Sequence, residues 1–519
     1  MKTIRKYSAV VLIGLIELAP IGVVAQRQQR GQAPAQRPSS NQGQPAIPVN
    51  PRDIKFPALS FDPPKRSQYR HVLSNGSVAY LVEDHDLPLI NVQTLVRTGD
   101  YLEPEGKEGL ASLTGTQMRT GGTKNKTAEQ FDETSDFLAA NIGSSIGNTQ
   151  GTANLNVLAK DLDQGLGLYF DMLRNPAFQE DRLKLAKEQI LQSLQRRNDR
   201  TDAIESREWG RLLQGPKHFS TKEPTKKSIE SITREDLAAF HDKYYQPAVF
   251  IFAVSGDFKT ADMIAKLETA MSGWASNKAA VPPPPAPDFT PTAGVYVVNK
   301  PDVNQTRVSI GHIGTMRDNP DSYALSIMNE ILGGGGFTSR ITSRVRSDEG
   351  LAYSAGSNYG LGTYYPGTFR AAFQSKNAST AQAIDIVMEE INKIRTAKVS
   401  PEELEIAKNS TIEVFPRFFA SAGQVAGTFA QDEYTNRPAD YWDSYRTRVK
   451  AVTADDVQRV AQKYLQPDKL VVLVVGNVDD VMKGNPDKPQ YSLTKIVGSG
   501  QVKRIALPDP VTLEYPSGQ

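Results

Sequence analysis

The chain has 519 residues, 39% hydrophobic and 23% charged, a formal net charge of +2 at pH 7 and no cysteine. That length exceeds what one hydrophobic core serves, and it predicts about two to four domains. The near-neutral balance gives no reason to expect nucleic acid or an anionic surface as partner, and the missing cysteines exclude disulfides, thiolate metal sites and thiol nucleophiles.

From the start of the chain, MKTIRKY is a short basic region, SAVVLIGLIELAPIGVVA an apolar run, and VVAQ a small-residue cleavage site after Ala25. This pattern predicts a secretory signal peptide over residues 1–25. No later run of about 18 apolar residues occurs, so no transmembrane segment is expected in the mature chain. Residues 26–59 are dominated by Gln, Pro, Arg, Ser and Gly, a composition that cannot build a core and predicts a disordered tether.

Strands are expected at SVAYLVEDHDLPLINVQTLV, and helices at TAEQFDETSDFLAANIG, LDQGLGLYFDMLRNP and EDRLKLAKEQILQSLQRRN. SNKAAVPPPPAPDFTPTAG then forms a stiff Pro-rich spacer. Beyond it, GVYVVNK and TRVSIGHIG read as strands, ALSIMNEILG and AQAIDIVMEEINKIR as helices. One segment occurs twice. ITREDLAAFHDKYYQPAVFIFAVSGDF, from Ile232, lies on VTADDVQRVAQKYLQPDKLVVLVVGNV, from Val452, with a shift of 220 residues. Thr233 falls on Thr453, Asp236 on Asp456, Tyr244 on Tyr464, Pro247 on Pro467 and Gly256 on Gly476. Each copy predicts a helix capped by Thr, a Pro-containing turn and a buried strand ending in Gly. A period this long means duplicated α+β domains.

The segment NEILGGGGFTSRITSRVRSDEGLAYSAGS, from Asn329, carries a Gly-rich turn, Phe-x-Ser-Arg, and an Arg and a Tyr seven apart in one register. With the duplication, this resembles the M16 (insulinase, pitrilysin and mitochondrial processing peptidase) family, in its form with two homologous domains per chain. The resemblance implies an α+β fold of two domains, 60–275 and 294–510, joined by a linker at 276–293. Each would be a mainly antiparallel sheet with helices packed on one side.

Active members of that family carry His-x-x-Glu-His on a helix after a Gly-Leu-Ala start, with a distant carboxylate closing the zinc site. Carried onto GLASLTGTQMRTGGT, the first His position falls on Ser112, the general base on Gly115 and the second His on Thr116; the distal ligand falls on Ser193. All four are replaced. The five histidines (His71, His85, His218, His241 and His312) include no pair at helical spacing. Glu188 stands on the distal helix, where a lone carboxylate cannot hold zinc. No zinc or other metal is expected in this chain.

The second half keeps what the first has lost. The Arg/Tyr pair of the family matches Arg346 and Tyr353, whose implied roles are gripping a substrate carbonyl and stabilising the oxyanion. Gly333, Gly334, Gly335, Gly336 and Phe337 are the implied substrate-binding turn, with glycines that fit a close backbone approach or a sharp helix-terminal turn. Arg340 and Arg344 read, with Arg346, as a basic patch. The implied function is that of a non-catalytic subunit, inactive alone. Its partner would be a homologous subunit carrying the zinc motif, and its substrates small unfolded peptides held as an added strand on a sheet edge. With export, this implies a periplasmic setting. The competing reading is a degenerate family member that binds peptides or supports an envelope assembly without proteolysis.

Overall fold

The computed structural model describes residues 60–275, 281–497 and 501–516. The expected signal peptide (1–25), the tether (26–59) and the first part of the linker (276–280) lie outside the described residues.

In the first half the order is β1 (Arg70–Val72), β2 (Val78–Glu83), β3 (Leu89–Val96), α1 (Leu110–Thr120), α2 (Ala128–Phe137), β4 (Asn141–Ile146) and β5 (Gly151–Leu158). There follow α3 (Leu162–Arg174), α4 (Glu180–Gln195), α5 (Thr201–Gln214), α6 (Lys226–Ser231), α7 (Arg234–Tyr244), β6 (Phe250–Gly256) and α8 (Thr260–Met271). The strands form one six-stranded sheet in the order β1-β2-β6-β3-β5-β4. It is antiparallel except where β2 meets β6.

The second half begins with β7 (Gly294–Asn299), β8 (Gln305–Ile313), β9 (Thr315–Met316) and α9 (Ser322–Asn329), which runs into a π-helical turn over Glu330–Gly334. Next come α10 (Arg340–Thr342), a second π-helical turn (Ser343–Asp348), β10 (Ala352–Tyr359), β11 (Leu361–Gly362) and β12 (Thr368–Lys376). The chain continues through α11 (Thr380–Thr396), α12 (Pro401–Glu413), α13 (Ala422–Tyr434), α14 (Tyr441–Ala451), α15 (Ala454–Tyr464), β13 (Val471–Gly476), α16 (Val478–Lys483), α17 (Leu493–Val497) and β14 (Lys503–Ile505). The second sheet has the order β10-β12-β8-β13-β7-β14, with β9 and β11 paired separately. It is mixed: β7 is parallel to both β13 and β14. The expected α+β class with two related sheets is what the chain forms.

The duplication is visible residue by residue. Thr233 accepts from Asp236 N at the start of α7, and Thr453 from Asp456 N at the start of α15, each a reciprocal capping box. A short turn at Pro247 or Pro467 then feeds β6 or β13. Each of these strands lies between a parallel and an antiparallel neighbour, β2 and β3 for β6, β7 and β8 for β13.

Both strands are buried along their whole length, as FIFAVSG and VVLVVG, because both sheet faces are covered. Along β6, Phe250, Phe252 and Val254 point into the core under the first half's own helices. Ile251 and Ala253, on the alternate face, meet Val425, Ala426 and Phe429 of α13 from the second half. The arrangement is reciprocal: Ile204, Trp209 and Leu213 of α5 cover Val471, Leu473 and Val475 of β13. Sequence reading put helices on one side of each sheet. The other side is closed by a helix exchanged from the opposite half.

Polar contacts lock both exchanges. Glu433 of α13 takes Arg70 at 3.0 Å, the Tyr80 hydroxyl at 2.7 Å, and Arg66. Burial pushes the Glu433 carboxyl up, but the Arg70 and Tyr80 hydrogen bonds and the Arg66 charge prevail and hold it at about 2. Glu205 of α5 accepts from Ser309 at 2.5 Å and Arg370 at 2.8 Å. The linker is docked as well: Tyr101 donates to Pro282 O at 2.9 Å, and His218 lies 3.0 Å from Pro285 O. After β14 the chain returns across the first half, where Asn198 and Arg197 donate to Pro508 O and Pro510 O at 2.8 and 3.1 Å.

Candidate functional site

The residues singled out in the sequence fall in two places, and each has the same outline: a helical segment lying against an edge strand. In the first half α1 packs on β4, the edge of its sheet, and also on α4. Its start is fixed by Glu103, which accepts from Gly109 N and Ala111 N at 3.1 and 2.7 Å and so satisfies two donors at the helix terminus. Burial pushes the Glu103 acid up to about 8; backbone hydrogen bonds from Ala111 and Gly109 pull against this, and the charge of Asp100 adds to it.

The four positions that the resemblance assigns to zinc chemistry cannot supply it. Ser112 and Thr116 are exposed on one face of α1, one helical turn apart. The Thr116 hydroxyl donates back to Ser112 O at 3.0 Å and lies 3.2 Å from Leu113 O. Ser193 is exposed on α4, and its hydroxyl donates to Ile190 O at 2.7 Å. Gly115 is buried against β4. A Cβ there would lie 2.7 Å from the Ser145 carbonyl carbon and closer still to the Ile146 nitrogen. The base position has therefore lost its side chain and also the room for one. Neutral hydroxyls, two of the three turned onto their own helix, are poor zinc donors beside imidazole or carboxylate, so the residues present do not fit the metal that the family fold implies.

The histidines offer no substitute. His241 is buried 2.8 Å from Leu173 O, and burial lowers its basicity. His218 bonds Ser220 and the linker, and His312 bonds Ile313 O and Gln466 N. His85 pairs with Asp257 at the surface, and His71 sits on the short edge strand β1. Glu188 is exposed on α4. Among the described residues, no three His, Cys, Asp or Glu side chains are grouped so as to hold a metal ion.

In the second half the turn after α9 lies against the edge strand β10. At Gly333 a Cβ would come within 2.5 Å of the Ser357 hydroxyl, so the turn can approach the strand only without a side chain. Gly334 and Gly335 fold back on Asn329 and Glu330, and Gly336 adopts a positive φ of 59°. The chain is thereby delivered to Phe337, which is 64% exposed, and then to the short helix bearing the arginines.

These arginines have different fates. Arg340 is bidentate on Glu403 at 2.6 and 3.0 Å, and Arg344 reaches Glu389 and Glu390, both at 2.7 Å. The expected basic patch is thus largely neutralised by the chain's own carboxylates. Arg346 has no carboxylate partner among the described residues. Its guanidinium carbon lies 4.4 Å from the Phe337 ring centroid and 4.8 Å from that of Tyr353, which is 85% exposed. Exposed aromatic rings hold the cation in place and leave its N–H fork available, a geometry that can grip a carbonyl or carboxylate.

Sequence reasoning missed how the edges are closed. Arg119, the last basic residue of α1, donates to Ile142 O of β4 at 3.0 Å while pairing with Asp132 at 2.6 Å. On β10, Thr342 takes Ala355 O at 2.7 Å and Asn329 takes Ser357 O at 3.2 Å. Both edges are blunted by the chain's own side chains, which disfavours adding a strand there.

Comparison with known proteins agrees with this layout. Residues 79–209 match the family profile described as Insulinase (Peptidase family M16), and residues 231–411 the profile described as Peptidase M16 inactive domain. The chain belongs to the M16 peptidase family. An uncharacterized zinc protease of Rickettsia bellii is 24% identical over 63% of this chain and 84% of its own length. The non-peptidase homolog YmxG of Helicobacter pylori is 21% identical over 76% of this chain and 90% of its own. Among solved structures, an M16 inactive domain protein from Pseudomonas fluorescens superposes with a TM-score of 0.70 at 24% identity, over 78% of this chain and 97% of that one. The periplasmic protease PqqL of Escherichia coli superposes with a TM-score of 0.66 at 16% identity, over 84% of this chain and 49% of that one. This M16 chain thus has relatives named as proteases and as a non-peptidase.

Proposed function

We propose that this chain is the non-catalytic subunit of a two-chain M16 metallopeptidase, inactive alone, which presents Arg346 and Tyr353 to the zinc site of a homologous partner. What carries the reading is Arg346 itself. It is held between two exposed rings without an acid, while Arg340 and Arg344 on the same short stretch are neutralised. An unpaired guanidinium beside an exposed phenol is matched to a peptide carbonyl that becomes an oxyanion during hydrolysis at a neighbouring metal. The Gly333–Gly336 turn and Phe337 would border the peptide. Because the β4 and β10 edges are engaged internally, the peptide is gripped by side chains and not as an added strand. The periplasmic setting rests on the export signal read at residues 1–25; among the described residues no helix is long and apolar enough to cross a membrane.

The second reading is a peptide-binding or envelope scaffold protein without proteolysis, favoured by the Helicobacter relative named a non-peptidase homolog. The two separate when the chain is assayed alone and mixed with an M16 homologue carrying His-x-x-Glu-His, using a quenched peptide. Cleavage that requires the mixture supports the subunit. Full activity of the homologue without this chain supports the scaffold.

A further inference from the structure

A second cluster of arginines and rings lies apart from Arg346. It fills a cleft of about 370 Å³ between the loop before α9, the start of α9, and α14. Tyr323, Tyr441 and Tyr445 form its cup: Tyr323 stacks on Tyr441 at 6.3 Å and 23°, and Tyr445 closes on the two at 5.8 and 5.7 Å. Arg317, Arg437 and Arg448 line the same cleft, and the one acid on its wall, Asp318, is spent on Arg317.

The remaining two guanidiniums are under-neutralised. Arg437 meets the buried Asp432 only through Nε at 3.3 Å, and that carboxylate is shared with the Trp442 indole at 2.6 Å. Arg448 has no carboxylate partner among the described residues; its guanidinium stands 5.6 Å from the Tyr323 ring. Burial pushes the Tyr323 and Tyr445 phenols up, so both stay neutral donors at physiological pH. Arg437 lies 4.2 Å from the Tyr441 ring centroid, and two cationic forks beside a cluster of aromatic rings suit a ligand with a negative end and a flat apolar end. The volume lies at the small end of the range for ligand clefts, about 300–1,000 Å³, so the ligand is about one or two residues in size.

We propose that this cleft binds an aromatic carboxylate, its ring in the Tyr323–Tyr441–Tyr445 cup and its carboxylate on Arg437 and Arg448. The same chemistry is offered by a free aromatic acid and by the C-terminal aromatic residue of a peptide.

The full chain is titrated calorimetrically with N-acetylphenylalanine, its amide, and acetate. The expected result is saturable one-to-one binding of the acid, with the amide and acetate at least about tenfold weaker. Arg448→Gln, at an exposed position that costs no packing, is expected to weaken the acid by about tenfold, and Tyr323→Leu by a similar factor with the fold intact by circular dichroism. Tighter binding of Gly-Gly-Phe than of N-acetylphenylalanine assigns the site to peptide C-termini; equal or weaker binding assigns it to free acids. Absence of saturation, equal affinity for acid and amide, or unchanged affinity in Arg448→Gln overturns the proposal.

Discussion

The α1 face of the first half and the Arg346 turn of the second repeat one design, a helical segment against an edge strand, with opposite outcomes. On α1 the polar groups are short hydroxyls, that of Thr116 turned onto its own backbone, and the buried position has contracted to a glycine pressed on β4. On the turn before β10 a half-buried cation stays without a carboxylate partner beside two solvent-facing rings. Exposing Phe337 and Tyr353 forfeits burial that would stabilise the fold, so this turn is not arranged for stability. The α1 face, with its helix settled on the strand, is.

The largest effect that would test the contrast is catalytic. In a mixture with a zinc-bearing homologue, Tyr353→Phe is expected to lower kcat by about 10²–10³-fold, the loss typical of one oxyanion donor. Circular dichroism and thermal midpoint should be unchanged, since the hydroxyl is exposed. A change of less than threefold would make the turn as inert as α1.

Next comes Gly115→Ala. A methyl group there overlaps the backbone of β4, and overpacking of this kind costs about 1–3 kcal/mol, more than the helix propensity gained. Urea denaturation measures it. A stabilised variant would mean that α1 can lift off β4 and that the base position is still open.

A smaller difference separates the arginines. Arg344→Ala leaves the buried Glu390 with only Lys393, and a loss of about 1–2 kcal/mol is expected. Arg346→Ala should cost less, about 0.5–1 kcal/mol, because it breaks no ion pair and loses only contacts to two exposed rings.

The last prediction is a pH dependence and concerns Glu103, at the head of α1. Its acid is raised in the folded chain to about 8 from an ordinary 4.5. Between those values the folded state holds more protons than the unfolded, so the stabilising contribution is whole below about pH 4.5 and is lost as pH rises through 8. Glu103→Gln keeps an acceptor for Gly109 N and Ala111 N without the charge. Its thermal midpoint should therefore fall less than the parent's between pH 6 and 9, the pH range about the raised value.

Much of the fold was legible because its signals are local. Thr233 and Thr453 cap their helices with Asp three residues on, Pro467 repeats Pro247, and β6 and β13 read as unbroken apolar runs. The exchanged helices were not legible. α5 mixes the buried Glu205, Arg207 and Glu208 with Ile204 and Trp209, because it is enclosed by both halves, and no single apolar stripe announces that. At the candidate sites the replaced positions Ser112, Gly115, Thr116 and Ser193 could be read by register. The charge balance around Arg346 could not: Glu389, Glu390 and Glu403 lie 45, 46 and 63 residues from the arginines they neutralise. Nor could the covering of β4 by Arg119, which depends on how α1 is angled against the strand.

The central claim is that Arg346, and not its neighbours, acts on a partner's substrate. Its most direct test is kcat for a quenched peptide in the reconstituted mixture, with Arg346→Ala compared against Arg340→Ala. A loss of about 10²-fold or more is expected for Arg346→Ala, with the Arg340→Ala mixture within a few-fold of the parent. Equal activity of the two variants, or peptide cleavage by this chain without a partner, would contradict it.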